Sequence, residues 1–318
     1  MVTQPILSLI TPTYNNGHLL RRLYSSIKSQ SYKKICWIII DDGSIDNTEK
    51  IVKKFQGFKI LYRKQKNFGP NFSRNRAEEL IPKSCKYAIH IDSDDTFYNH
   101  ETLELMVKDI EKSNKNIGIV AYSSIDGITG KKVSFTQKPE ILIDFIDNLK
   151  GEKIRGEFIF IQKREVLKMS KWPEKILGYE GIRHWEINKY CDFLYKEIPG
   201  RIYYRDRKEN LTSPEGTILR SNNMVDGINY LLEKHGDNLK TFAIDKYIYF
   251  NFTKSIYLLL SNQKLEFLKH SIFLFKLRKK LKMHVMSLLL LLCIILPNFL
   301  VKKIYILIRR INYNYKNN

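Results

Sequence analysis

Four short apolar runs recur through the N-terminal part of the chain, and each stops at a polar cluster. The runs are residues 7–11, 36–40, 59–62 and 87–91; the clusters are residues 12–17, 41–44, 67–70 and 92–95. Segments with helical apolar spacing separate them, such as the one carrying Leu19, Leu20, Leu23 and Ile27. A fifth run, residues 117–122, comes after a segment with Leu103, Met106, Val107 and Ile110 on one face. Residues 36–40 are apolar at almost every position, the pattern of a strand buried on both faces of a parallel sheet. Strand and helix in this alternation leave few folds open. The chain is expected to be α/β, with a mostly parallel, Rossmann-like sheet flanked by helices. Ligands of such sheets bind beyond the carboxyl ends of the strands, so the four polar clusters are expected along one edge.

The fourth cluster carries the most chemistry. Asp92, Asp94 and Asp95 fall within four positions of one another. Like charges this close repel unless something positive neutralises them. Oxygen-only ligands suit Mg²⁺ or Mn²⁺, and Mg²⁺ is commonly held by one or two carboxylates together with substrate phosphates. The bland alternative is an acidic turn ahead of the helix that begins near Glu101. No G-x-G-x-x-G comes after the first run and no G-x-x-x-x-G-K-[ST] occurs, which argues against dinucleotide and P-loop sites.

Taken in order, several short motifs resemble the glycosyltransferase family 2 nucleotide-sugar domain. They are Thr11-Pro12-Thr13-Tyr14-Asn15, Asp41-Asp42-Gly43-Ser44 with Asp46, Asn67 and Gly69, Arg74-Asn75, and Asp92-Ser93-Asp94-Asp95. They span about the first 125 residues. The resemblance implies a GT-A fold, an inverting mechanism, a divalent metal (Mg²⁺ or Mn²⁺), and a nucleoside-diphosphate sugar donor with UDP as the expected nucleotide. It also implies roles. Thr11 and Pro12 match the loop at the base and ribose, Tyr14 the aromatic on the base, and Asp42 the acid that bonds the base. Asp92, Asp94 and Asp95 match the D-x-D region, with Asp92 and Asp94 toward the donor and Asp94 and Asp95 toward the metal. Arg74 and Asn75 match a pair next to the donor; the structural alternative is that they only hold the loop before the carboxylates.

The family keeps a catalytic base in its acceptor half, usually as Glu-Asp at a helix start. This chain has Glu180-Gly181 there. Glu180 is the expected base, with Glu186 and Asp192 as rivals; a plain first-turn acid is the structural alternative. Residues 201–208 form an alternating basic run that either faces the departing diphosphate or is a solvated sheet edge. The Q-x-x-R-W pattern of processive synthases is absent, so transfer of one sugar per encounter is expected.

Charge separates the C-terminal part from the rest. The chain carries 54 Lys and Arg against 33 Asp and Glu, a net +21, and no acid occurs after Glu266. Such a balance calls for a polyanionic partner. Basic residues flank the apolar stretch 285–301, which is short for a span and broken by Pro297-Asn298. Positive charge on both sides fits an interfacial segment better than a spanning one. Residues 1–221 are therefore expected to be the catalytic domain, with a donor half of about 1–125 and an acceptor half of about 126–221. Residues 222–318 are expected to be a helical, membrane-associating extension. Four scattered cysteines without a C-x-x-C pair indicate neither a disulfide framework nor a zinc site. The first residues lack a basic stretch leading into an apolar one, so no signal peptide is expected.

The resulting expectation is a metal-dependent, inverting, non-processive glycosyltransferase at the cytoplasmic face of a cell membrane. Its acceptor would be a lipid-linked or cell-envelope glycan, and no nucleic acid is expected. A metal-dependent nucleotidyltransferase would release pyrophosphate from a nucleoside triphosphate. A non-catalytic basic protein that binds membrane or nucleic acid would transfer nothing.

Overall fold

The computed structural model describes residues 4–176, 178–204, 213–277 and 291–317. The chain groups into two compact units, Met1–Lys175 with Glu180–Asp206, and Ile176–Tyr179 with Arg207–Asn318. The sequence-based boundary at 221/222 thus lies downstream of the division between the units.

The first unit opens with β1 (Leu7–Thr13), α1 (Gly17–Lys28), β2 (Ile35–Asp41), α2 (Thr48–Val52), β3 (Lys59–Lys64), α3 (Pro70–Glu79) and β4 (Tyr87–His90). It continues through β5 (Thr96–Phe97), α4 (Thr102–Lys112), β6 (Ile117–Asp126), β7 (Ser134–Thr136), β8 (Glu140–Ile143), α5 (Phe145–Lys150) and β9 (Ile154–Gly156). β10 (Phe158–Lys163), α6 (Arg164–Leu167), α7 (Ile182–Asn188) and β11 (Asp192–Tyr203) complete it. The main sheet runs β3-β2-β1-β4-β10-β6-β11-β5, with β8 also on β11. β1 to β4 are mutually parallel, as the alternation implies. β10 is antiparallel to both β4 and β6, so β6 and its parallel neighbour β11 point the same way as β4. The carboxyl ends of six strands therefore share one edge.

β2 explains why its sequence is so apolar. Ile35, Trp37 and Ile39 pack with Leu20, Leu23 and Ile27 of α1 and Leu103 and Met106 of α4. Cys36, Ile38 and Ile40 pack on the other face against Ala77 and Ile81. With both faces covered, polar positions survive only at the strand ends. A third cluster joins Ile119 and Ala121 of β6, Ile187 of α7 and Phe193 and Tyr195 of β11.

The second unit contains α8 (Pro214–Leu219), α9 (Ser221–Phe242), α10 (Ile244–Leu260), α11 (Lys264–Leu277) and α12 (Asn298–Asn317). Its core joins Val225, Leu258, Leu259, Leu260, Phe267 and Val301. Among the described residues no helix is long and apolar enough to cross a membrane. Part of the apolar stretch expected at the membrane, residues 285–290, lies outside the described residues. The segment from Ile294 to Asn298 is docked on the neighbouring helices: Lys264 Nζ donates to the Ile294 and Leu296 carbonyls, and Asn298 Nδ2 to the Leu259 carbonyl.

Candidate active site

The loops after β1, β2, β3 and β4 meet at the carboxyl edge of the sheet. Asn15, a non-glycine residue at φ +52°, laces the first two together. Its backbone N–H donates to Ser44 Oγ at 2.9 Å, and its Oδ1 accepts from the Ile45 N–H at 2.9 Å. Gly17 lies so close to α2 that a Cβ there would sit 2.9 Å from the Thr48 Cα. Asp46 Oδ2 accepts from the Gly17 N–H and its Oδ1 from the Thr48 N–H.

Thr11 and Pro12, expected in this loop, belong instead to β1. The Thr11 hydroxyl is fully buried and accepts from Trp37 Nε1 at 2.9 Å. Tyr14, just beyond the strand, is 46% exposed at the edge. Asp42 is buried, and its carboxylate organises the third loop. It accepts from Gln65 Nε2 (2.8 Å) and from the N–H groups of Phe68 (3.0 Å) and Gly69 (2.7 Å). Gly69 adopts φ +95° as the residue before α3, a conformation costly for any side chain.

The three carboxylates after β4 take different places. Asp92 is 46% exposed and receives Arg74 Nη2 at 3.1 Å. Asp94 is partly exposed, and its carbonyl accepts from Arg22 Nη2. Asp95, expected beside Asp94 as a metal ligand, is completely buried. Its Oδ2 lies 3.0 Å from Arg201 Nη1, and its Oδ1 accepts from the Tyr204 N–H at 3.2 Å. Burial, reinforced by Asp92 and Asp94, pushes the Asp95 carboxyl up to about 7 against the pull of Arg201. Burial also works against the Arg201 charge, but Asp95 and Glu157 outweigh it and hold the guanidinium charged. Arg201 is thus committed inward, and residues 205–208 of the basic run lie outside the described residues. Arg22 stacks 3.5 Å from the Tyr204 ring centroid, tying α1 to the end of β11.

Arg74 and Asn75 both hold neighbouring loops. Arg74 bonds Asp92, while Asn75 clamps the chain at Trp172, accepting its N–H (2.9 Å) and donating to its carbonyl (3.0 Å). Beneath them lies a buried polar hub. Glu78 Oε1 accepts from Trp172 Nε1 (2.8 Å) and Arg183 Nη2 (3.0 Å) and lies 3.0 Å from His90 Nε2. Burial opposes the Glu78 charge, yet His90 and Arg183 hold its carboxyl below the usual range. Burial drives the neighbouring His90 downward, so it stays neutral.

Glu180 sits in the turn that leads into α7, partly exposed, and its carbonyl accepts from the Arg183 N–H at 3.1 Å. Its rivals are placed differently. Glu186 pairs with Lys189 at 3.0 Å along the helix. Asp192 begins β11 and therefore lies at the amino edge of the sheet, away from the carboxylate loop.

No group of three or more His, Cys, Asp or Glu among the described residues is arranged to hold a metal by itself. Two partly exposed aspartates on one loop, with oxygen ligands only, fit an Mg²⁺-type ion completed by substrate phosphates.

Sequence reading missed Arg22, Glu78 and Arg183, and it gave Arg201 and Tyr204, within the basic run, no inward role. Two signals were present. His90 interrupts the apolar pair Ile89 and Ile91, and Arg183 lies on the same helix face as the buried Ile187. A charged or polar residue in an apolar register marks a buried partner elsewhere.

The family profile described as glycosyl transferase family 2 matches residues 8–169, half of the chain and the loops after β1, β2, β3 and β4. The chain belongs to that family. It is a glycosyltransferase, and its relatives include enzymes of cell-envelope glycan synthesis. One is the GalNAc(5)-diNAcBac-PP-undecaprenol beta-1,3-glucosyltransferase of Campylobacter jejuni, 28% identical over 65% of this chain and 67% of that protein. Another is the poly(ribitol-phosphate) beta-N-acetylglucosaminyltransferase TarP of Staphylococcus aureus, 34% identical over 44% of each chain. The match to the glycosyltransferase GlyA of Streptococcus pneumoniae spans only 18% of that protein. Solved structures agree on the GT-A fold. TarS 1–349 of S. aureus with UDP-GlcNAc superposes with a TM-score of 0.55 at 17% identity, over 83% of this chain and 88% of that one. The mannosyltransferase PcManGT of Pyrobaculum calidifontis with GDP-Man and Mn²⁺ gives 0.55 at 16% identity, over 99% and 88%.

Proposed function

We propose that this glycosyltransferase moves a sugar from a nucleoside-diphosphate donor, with UDP as its nucleotide, to a hydroxyl of a lipid-linked or cell-envelope glycan, with inversion and one sugar per encounter. The observation that carries the reading is the loop after β4. It presents Asp92 and Asp94 at the carboxyl edge of the sheet beside the β1 and β2 loops and keeps Asp95 inside. Tyr14 packs on the base. Asp42 shapes the base pocket through the loop it organises, and its Oδ2, with one bond inside the protein, retains a lone pair for a base N–H. Asp94, with Asp92 beside it, holds a divalent ion. That ion, when bound, supplies positive charge to the diphosphate. Arg74 positions Asp92.

Glu180 serves as the base that removes the acceptor proton, a contribution of about 10²–10⁴-fold. Its place at the start of α7 in the first unit, and the poor placement of Glu186 and Asp192, support the choice. The acceptor class rests on relatives whose names specify an undecaprenol-linked glycan and poly(ribitol phosphate). The basic helices of the second unit associate with an anionic membrane surface at the cytoplasmic face, bringing the enzyme to a lipid-linked acceptor.

A panel of UDP-, GDP- and dTDP-sugars with Mn²⁺, read by thermal shift and donor hydrolysis, tests the donor assignment. Stabilisation by a UDP-sugar that chelator removes is the expected result; no response to any nucleotide sugar would overturn it. For the base, Glu180→Gln should bind donor normally but transfer at least about a hundredfold more slowly. A normal turnover beside a collapsed Glu186→Gln would move the role to Glu186.

A further inference from the structure

We propose that Arg183 is a positioning residue that fixes the catalytic carboxylate Glu180 relative to the donor loop. The inference rests on the reading of Glu180 as the base and adds a residue that acts through it.

Arg183 is an almost completely buried charged side chain of the first unit, with 1% of its surface exposed. A guanidinium taken out of water is costly unless its N–H groups find partners. It reaches three separate elements. Nη2 meets Glu78 of α3 at 3.0 Å, Nε donates to the Ser170 carbonyl at 3.0 Å, and Nη1 to Gln162 Oε1 of β10 at 3.4 Å. The flat face of the group lies 4.6 Å from the Trp172 ring centroid. These contacts hold one side chain in one place from several directions.

The partners lead directly to the donor side. Glu78 lies one helical turn beyond Arg74, which grips Asp92. The same Glu78 oxygen faces His90, two residues before Asp92. The Trp172 ring that Arg183 covers also lies 4.9 Å from the Arg74 guanidinium. On the other side, the Arg183 N–H closes the first turn of α7 on the Glu180 carbonyl. Gly181, between them, provides no side-chain cap. The backbone of Glu180 is therefore one turn from a guanidinium pinned to the frame that carries Asp92. Displacement of a base by about 1 Å is enough to cost roughly 10²-fold in rate. A buried Arg–Glu pair kept only for stability would leave catalysis untouched in a folded variant, so the two roles separate by experiment.

The full chain is used, with a UDP-sugar and Mn²⁺ as the donor probe and sugar transfer as the readout. Arg183→Lys keeps the charge but loses the fixed fork. It should lower kcat at least about tenfold while donor affinity stays within about twofold. In the Glu180→Gln background the same change should lower kcat by no more than about twofold, because the base it positions is gone. Glu78→Gln keeps an acceptor oxygen and should show the same pattern more mildly; it decides the matter by the same criteria if Arg183→Lys does not fold. Equal losses in both backgrounds, or weakened donor binding that accounts for the loss, would overturn the proposal. Normal turnover of Glu180→Gln by itself would overturn the reading of Glu180 and the positioning role together.

Discussion

Arg201 Nη1 lies 3.0 Å from Asp95 Oδ2, with the two side chains 8% and 0% exposed. This pair gives the carboxylate loop its shape. It turns Asp95 inward and presents Asp94 and Asp92 outward, and the Tyr204 N–H satisfies the other Asp95 oxygen. The repulsion that the sequence concentrates in four residues is thus relieved from beneath, by an arginine 106 positions away.

The two neighbours should therefore respond in opposite ways. Asp94→Ala should abolish metal-dependent donor binding and leave the melting temperature nearly unchanged, since its carboxylate is partly exposed. Asp95→Ala removes the nearest carboxylate from the buried Arg201 guanidinium, leaving it Glu157 at 3.5 Å, and should cost up to about 3–5 kcal/mol of stability. Thermal melts and calorimetry with and without chelator measure both. Loss of stability in Asp94→Ala and none in Asp95→Ala would reverse the assignment.

Thr11→Val tests a residue that the family resemblance places at the ligand and the structure buries against Trp37. The substitution removes the acceptor for the buried Trp37 indole N–H. It should cost about 1–3 kcal/mol by denaturant unfolding, with donor affinity within about threefold of the parent. A large loss of affinity at unchanged stability would return Thr11 to the ligand.

His184 offers a pH test. Its ring packs 4.5 Å from Phe160 and near Trp172 and Phe193. Burial, with Arg183 adding to it, pushes its pKa down to about 3, against an ordinary 6.5. A depressed value means that the unfolded chain takes the proton first. The contribution is whole above about pH 6.5 and is lost as pH falls toward 3, with a slope of at most about 1.4 kcal/mol per pH unit. His184→Phe should flatten the stability profile in that window relative to the parent. Parallel profiles would show that the ring titrates normally.

The C-terminal helices call for point changes rather than truncation. Val301 is buried with Leu258, Leu259 and Phe267, so deleting residues 283–318 strips the core of the second unit and should lower solubility. Charge reversal at Lys302, Lys303 and Arg309 leaves that core alone. Each basic residue near an anionic surface contributes about 1 kcal/mol. The triple variant should lose most of its co-sedimentation with vesicles rich in anionic lipid, and the parent should lose it in high salt. Equal sedimentation of parent and variant would remove the membrane from the proposed function.

The sequence by itself determined the strand–helix alternation, because a strand covered on both faces must be apolar throughout and can be polar only where it ends. Residues 36–40 and the cluster after them carry that rule without help from the rest of the chain. The same logic made Asp92, Asp94 and Asp95 visible, and the ordered motifs named the family. Tertiary structure decided which carboxylate points where. Asp95 turns inward because Arg201 arrives from β11, and Thr11 faces Trp37 because β1 and β2 pair in one particular register. It also reversed β10 relative to its neighbours and assembled Glu78, His90 and Arg183, drawn from two helices and a strand. Local spacing fixes which face of an element a residue occupies, since 3.6 and 2 are the periods of single elements. Which charge waits on the other side of that face is set by chain crossing over a hundred residues, and no local period encodes it.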